Sequence, residues 1–274
     1  MTTKHSLEIA GKTDTGCVRT NNEDNLAIDQ GLGLLVVADG MGGHNSGEVA
    51  SEIATSTIRD FAQKMIGGPK IMVPEGGDPA LSVRGKQLEY FVKSANTMIY
   101  EKGRAFPKDA GMGTTVVAAL ADDKLLTVAH VGDSRLYLFR NGRLSQVTED
   151  HSLVTDQVKK GLLTADEAAH SNLQNILTRA LGAEENVKVD VAEHPLLPGD
   201  VLLMASDGLS KMMTDEEVAA VLVEDSTPLR VVDTLIERSR KAGGVDNITI
   251  ICARVPAKGA GNPFKGLVSR IFGA

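Results

Sequence analysis

Short apolar runs bounded by turn residues recur along the chain. They predict strands over Leu7 to Ala10, Asn25 to Asp29, Leu34 to Ala38, Thr115 to Leu120, Leu125 to His130, Arg135 to Phe139, Val187 to Glu193, Val201 to Ala205 and Ile248 to Ala253. Leu34 to Ala38 and Val201 to Ala205 are apolar at every position, so both faces of those strands are expected to be covered. Ala121-Asp-Asp-Lys, Val131-Gly-Asp-Ser and Asn141-Gly142 are too short for a crossover helix, so the strands they join are expected to pair antiparallel. Helical spacing fills the gaps. Ser46 is placed to cap a helix carrying Val49, Ile53, Thr57, Phe61 and Met65 beside Ala50, Ala54, Ile58 and Ala62. Leu88, Phe91, Val92, Ala95, Met98 and Ile99 form a second apolar face. Thr214-Asp-Glu-Glu217 reads as a capping box, and Thr227-Pro228 opens a helix that ends at Gly243-Gly244. This order predicts antiparallel sheets covered by helices in a layered α+β domain. Gly67 to Gly85 is rich in Gly and Pro and reads as a loop. Ala257 to Asn262 reads as a linker before a short amphipathic tail, with Phe264, Leu267, Val268, Ile271 and Phe272 on one face. That tail is either frayed, docked on the body, or a helix for a partner or membrane surface.

With 274 residues the chain is long enough for a sizeable core, and 42% hydrophobic with 24% charged residues is the composition of a globular protein. The excess of 36 acidic over 29 basic residues argues against nucleic acid as a partner. Aromatic residues make up 3% with no Trp, which argues against base stacking. No apolar run approaches membrane-spanning length and no apolar stretch follows Lys4, so neither a transmembrane helix nor a signal peptide is expected. Cys17 and Cys252 have no metal or redox spacing and are expected as free thiols in the core of a cytoplasmic protein.

The placement of Asp changes this picture. Four times an apolar strand abuts an Asp beside Gly, Asn or Ser: at Asp39-Gly40, Gly132-Asp133-Ser134, Asp207-Gly208 and Asp246-Asn247. Glu23-Asp24 precedes another strand. One such Asp is an ordinary turn residue. Several converging strand ends would cluster carboxylates that repel one another, and a hard divalent cation relieves that repulsion through oxygen ligands. Gly40 would let a backbone carbonyl approach the ion. Arg19, four residues before Glu23, is a guanidinium suited to bidentate capture of phosphate.

The segments Arg19-Thr-Asn-Asn-Glu23-Asp24, Val37-Ala-Asp39-Gly40-Met-Gly-Gly-His44, Gly111-Met-Gly-Thr-Thr115, Val131-Gly-Asp133-Ser134-Arg135, Ser206-Asp207-Gly208 and Val245-Asp246-Asn247-Ile-Thr resemble the metal-dependent serine/threonine protein phosphatases of the PPM (PP2C) type, compact bacterial branch. The resemblance implies a four-layer αββα fold over residues 1–256, two packed antiparallel sheets flanked by helix pairs, with a flap at about 150–182. It implies two Mn²⁺ or Mg²⁺ ions bridged by Asp39, with Gly40, Asp207 and Asp246 completing the ligands and Glu23 binding through water. Asp133 with Asp207 would match a third, weaker ion site. Arg19 would hold the substrate phosphate, and Thr115 would lie near the metal waters. An activated water would then attack phosphorus with no protein nucleophile. Expected partners are phosphorylated proteins and a Ser/Thr kinase or its substrates, acted on by a monomer.

This chain departs from the animal pattern in carrying Met41 directly after Asp-Gly, where His stands in that pattern. His44, His151 and a water are the candidates for general acid. A P-loop, a nucleophile elbow, a haloacid-type Asp pair and a dinucleotide fold all lack required residues. The remaining alternative is a pseudophosphatase, a phosphoprotein-binding or regulatory module without turnover, and retention of every candidate ligand argues against it.

Overall fold

A computed structural model describes residues 7–256, apart from 44–45, 69–78, 123, 165–166, 169–170, 172 and 226. Both the 257–274 tail and His44 lie outside the described residues.

Eleven strands are described: β1 (Glu8–Asp14), β2 (Asp24–Asp29), β3 (Leu34–Met41), β4 (Gly113–Thr114), β5 (Val116–Ala121), β6 (Leu125–Val131), β7 (Arg135–Arg140), β8 (Arg143–Gln146), β9 (Asp190–Pro195), β10 (Val201–Ala205) and β11 (Ile248–Arg254). They form two antiparallel sheets. One runs β2-β3-β5-β6-β9 with β4 on the end of β3, and the other runs β1-β11-β10-β7-β8.

The all-apolar run at Leu34 is explained by alternation in a two-faced environment. Leu35 and Val37 point between the sheets, where they pack with Val117, Leu202, Met204 and Ile251. Leu34, Val36 and Ala38 point outward to the helices α1 (Ser46–Met65) and α2 (Val83–Ala105). The second sheet repeats the arrangement, with Leu203, Ile248, Ile250 and Cys252 facing α5 (Asp215–Glu224) and α6 (Pro228–Lys241). Two short helices, α3 (Leu153–Lys159) and α4 (Asp207–Ser210), lie near the sheet ends. The result is the expected α/β/β/α layering. No helix among the described residues is long and apolar enough to cross a membrane.

Several sequence expectations are corrected. β6 and β7 do not pair; they belong to opposite sheets. Gly132, at φ +108°, turns the chain from one sheet into the other, a conformation side-chain-bearing residues rarely adopt. Ser46 is the first residue of α1, its hydroxyl donating to the Lys108 carbonyl at 3.0 Å. Helix α2 begins at Val83 behind a Ser82 cap, inside the stretch expected as loop. Met98 is exposed because it falls off the apolar face of α2. Both cysteines are free, but Cys17 is exposed and only Cys252 lies in the core. The strands at Leu7 and Val187 start later than expected, and β4 and β8 had no apolar run to announce them. The Asn141-Gly142 turn does join a hairpin, with Arg140 opposite Arg143.

Candidate active site

The acidic residues are gathered at one end of the sandwich because five separate chain segments end or begin there. Asp39 lies near the end of β3, directly across from Asp24 at the start of β2. Asp207 follows β10 and opens α4, Asp246 precedes β11, and Asp133 sits in the β6–β7 connection that crosses between sheets. Asp39, Asp133, Asp207 and Asp246, together with Arg19, Glu23 and Gly40, line a cleft of about 280 Å³.

Backbone contacts hold the set in register. The Asp39 N–H donates to Thr115 Oγ1 at 3.2 Å, and its carbonyl accepts from the Thr115 N–H at 2.8 Å and the Thr114 hydroxyl at 2.8 Å. Thr115 Oγ1 in turn lies 2.7 Å from Ser134 Oγ, next to Asp133. The Gly40 N–H donates to the Glu23 carbonyl at 3.0 Å. A Cβ at position 40 would strike the carbonyl oxygens of Gly47 and Glu23, so only glycine permits this approach of three backbones. Asn247 fastens the loop carrying Arg19 and Glu23. Its Oδ1 accepts from the Glu23 N–H at 2.9 Å, and its Nδ2 donates to the carbonyls of Thr15 and Asn21 at 3.0 and 2.9 Å.

Burial and mutual repulsion set the electrostatics. The Asp39 carboxyl is pushed well above the ordinary carboxylate range, first by burial and then by Asp24, Asp207, Asp133 and Asp246. Asp133 is raised to about 7 by burial and by Asp207 and Asp150. Asp246 moves the other way. Burial alone would raise it, but Lys211 and Arg19 hold it below the usual value. Arg19 spans Asp246 with its fork, Nε to Oδ1 at 2.9 Å and Nη2 to Oδ2 at 3.0 Å, and is half-exposed at the rim.

Two residues receive no role from the sequence: Asp24 is named there only beside Glu23, and Lys211 not at all. Asp24 is buried beneath the cleft, and its Oδ2 accepts from the Ser206 hydroxyl of the opposite sheet at 2.7 Å. Burial raises it to about 6. Lys211 places its Nζ 2.5 Å from Asp207 Oδ2 and 3.0 Å from Asp246 Oδ2. Its only sequence signal was a position four residues after Asp207, the spacing of a helical ion pair.

His151 is removed from the list of proton donors. The side chain is 1% exposed and sits in the wall behind Asp133, not in the cleft. Its Nδ1 accepts from the Gly132 N–H at 3.0 Å and its Nε2 lies 3.1 Å from Asp190 Oδ2. With Nδ1 an acceptor, Nε2 carries the proton and donates it to Asp190. Burial, the stacked His130 ring and Arg179 lower the imidazole to about 4. It is a neutral strut joining the Asp133 turn to the segment that follows it.

The candidate ligands that line the cleft, Glu23, Asp39, Asp133, Asp207 and Asp246 with the Gly40 carbonyl, offer carboxylate and carbonyl oxygens, the set that suits Mg²⁺ and Mn²⁺. Asp207 Oδ1 is buried with no hydrogen-bond partner, a costly state that a bound cation would relieve.

Residues 18–243 match the family described as Protein phosphatase 2C. The serine/threonine phosphatase stp of Listeria monocytogenes is 35% identical over 243 residues, covering 88% of this chain and 92% of its own. The structure of the serine/threonine phosphatase Stp1 from Staphylococcus aureus superposes with a TM-score of 0.82 at 32% identity, over 94% of this chain and 98% of that one. The catalytic domain of the serine threonine protein phosphatase PstP, solved in complex with 2 manganese ions, gives a TM-score of 0.78 at 34% identity, over 91% of this chain and 98% of that one. Agreement in motif order, layer architecture and whole-length similarity has one reading: this chain belongs to the protein phosphatase 2C family.

Proposed function

We propose that this chain hydrolyses phosphoserine and phosphothreonine in proteins at a binuclear Mn²⁺ or Mg²⁺ centre, in the cytoplasm, opposing a Ser/Thr kinase. The observation that supports it most is Asp39, a half-buried carboxylate on the cleft wall that faces Asp207, Asp133 and Asp246 with Asp24 behind it, a repulsion that bound cations would relieve.

Asp39 would bridge two ions, the Gly40 carbonyl would bind one of them, and Asp207 and Asp246 the other, with Glu23 acting through water. Bound there, the ions would lower the pKa of water and offset charge on the phosphoryl oxygens. Thr115 keeps Asp39 in place through both of its backbone groups. Arg19, at the mouth, exchanges part of its hold on Asp246 for a phosphate oxygen and orients the ester. With His151 committed to Gly132 and Asp190, the proton for the alkoxide leaving group comes from water or from His44.

The test is a pair of variants. Asp39→Asn and Asp207→Asn are expected to bind Mn²⁺ weakly in calorimetry and to lose more than about a hundredfold in turnover on a phosphothreonine peptide. Arg19→Ala is expected mainly to raise KM. A wild-type rate in Asp39→Asn would remove Asp39 from the centre, and tight phosphopeptide binding without turnover in the unmodified chain would turn the reading to a pseudophosphatase.

A further inference from the structure

Lys211 follows α4 and lies on the wall between two cavities, the cleft described above and a second of about 350 Å³ that includes Arg135 and Asp150. Asp133, Asp207 and Lys211 line both. The lysine side chain is three-quarters buried, and its ammonium touches Asp207 and Asp246 and acts on Asp133 from nearby.

Asp207 divides its oxygens between two environments. Oδ1 is buried without a partner and is available to an ion of the central pair. Oδ2 is held by Lys211 at 2.5 Å. A further divalent ion between Asp133 and Asp207 would need that occupied oxygen and would stand within a few Å of a fixed positive charge. The ion at Asp207 and Asp246 keeps the charge of both carboxylates against this repulsion, whereas a third ion would have only Asp133 beyond the shared Asp207, so the like charge in a partly buried site disfavours the third ion most.

We propose that Lys211 is a tethered counter-ion that takes the place of a third divalent ion at Asp133 and Asp207, so that the centre is complete with two. This role rests on the binuclear reading and adds a residue to it. Two consequences follow from the chemistry. Removing the ammonium while keeping its bulk should open the position to a metal ion, and moving the charge onto a guanidinium should leave it closed.

The experiment is equilibrium dialysis of the metal-stripped full chain against millimolar MnCl₂, with manganese counted per chain, on wild type, Lys211→Met and Lys211→Arg. Expected are two ions in wild type, three in Lys211→Met and two in Lys211→Arg. Three ions in wild type would overturn the counter-ion role and leave the binuclear reading standing, and so would two ions in Lys211→Met. No bound manganese in wild type would overturn both. Because the wild-type count alone decides one arm, misfolding of a variant does not shield the proposal.

Discussion

Asp39 and His151 show how a side chain's surroundings, more than its type, assign its role. Both are displaced from their ordinary titration, but half-buried Asp39 faces other carboxylates across an open cleft, whereas buried His151 has both ring nitrogens engaged. Replacing His151 with Ala removes two hydrogen bonds and leaves the Gly132 N–H buried without a partner, a loss of about 1–3 kcal/mol in chemical denaturation. Its removal is expected to leave the ratio of alkyl to aryl phosphate turnover unchanged, because an aryl leaving group needs little protonation and only a lost acid would separate the two. A selective loss on alkyl esters would restore His151 as the acid. Asp39, Asp207 and Asp246 were legible in the sequence because each stands at the end of an apolar run beside Gly or Asn. Asp24 and Lys211 were not. Asp24 acquires its importance from Ser206, a residue 182 positions away in the other sheet, and Lys211 from Asp246, 35 positions on. Pattern along a chain does not report such meetings.

At the level of elements, the apolar runs located most of the strands but not their partners. The Val131-Gly-Asp-Ser connection looked like a hairpin because it is short, whereas Gly132 uses its positive φ to carry the chain between sheets. Asp133 reaches the cleft through that crossing. Gly132→Ala would impose strain at φ +108° and drive a Cβ into the Thr115 side chain, which anchors Asp39. It is expected to cost about 2 kcal/mol or more in denaturation and to weaken Mn²⁺ binding in calorimetry. A variant as stable as wild type would show that the turn is not constrained. Helix ends were better announced. Thr214 and Glu217 form the reciprocal cap expected of them. Thr214→Ala, far from the cleft, is expected to lower stability by about 1 kcal/mol and melting temperature by about 2–4 °C without altering turnover.

For the molecule as a whole, layering brings four strand ends and a crossing turn to one end of the sandwich, and the charge gathered there couples metal, protons and stability. Burial and neighbouring carboxylates push Asp24 up to about 6 and Asp133 up to about 7 in the metal-free chain, above the ordinary carboxylate value of about 3.9. The folded state therefore holds more protons than the unfolded state between about pH 4 and 7, and the stability these groups contribute is lost as pH rises through that window. His151 runs oppositely, with its contribution lost as pH falls towards about 4. Metal must displace the carboxyl protons, so the rise in melting temperature on adding Mn²⁺ is expected to be larger at pH 8 than at pH 5. An equal rise at both would separate the metal site from these carboxyls. The central claim is tested most directly by phosphate release from a phosphothreonine peptide, measured while Mn²⁺ is titrated into metal-stripped enzyme. The account predicts no release above background in EDTA and a saturable rise with Mn²⁺, absent in Asp39→Asn. Full turnover in EDTA would contradict it.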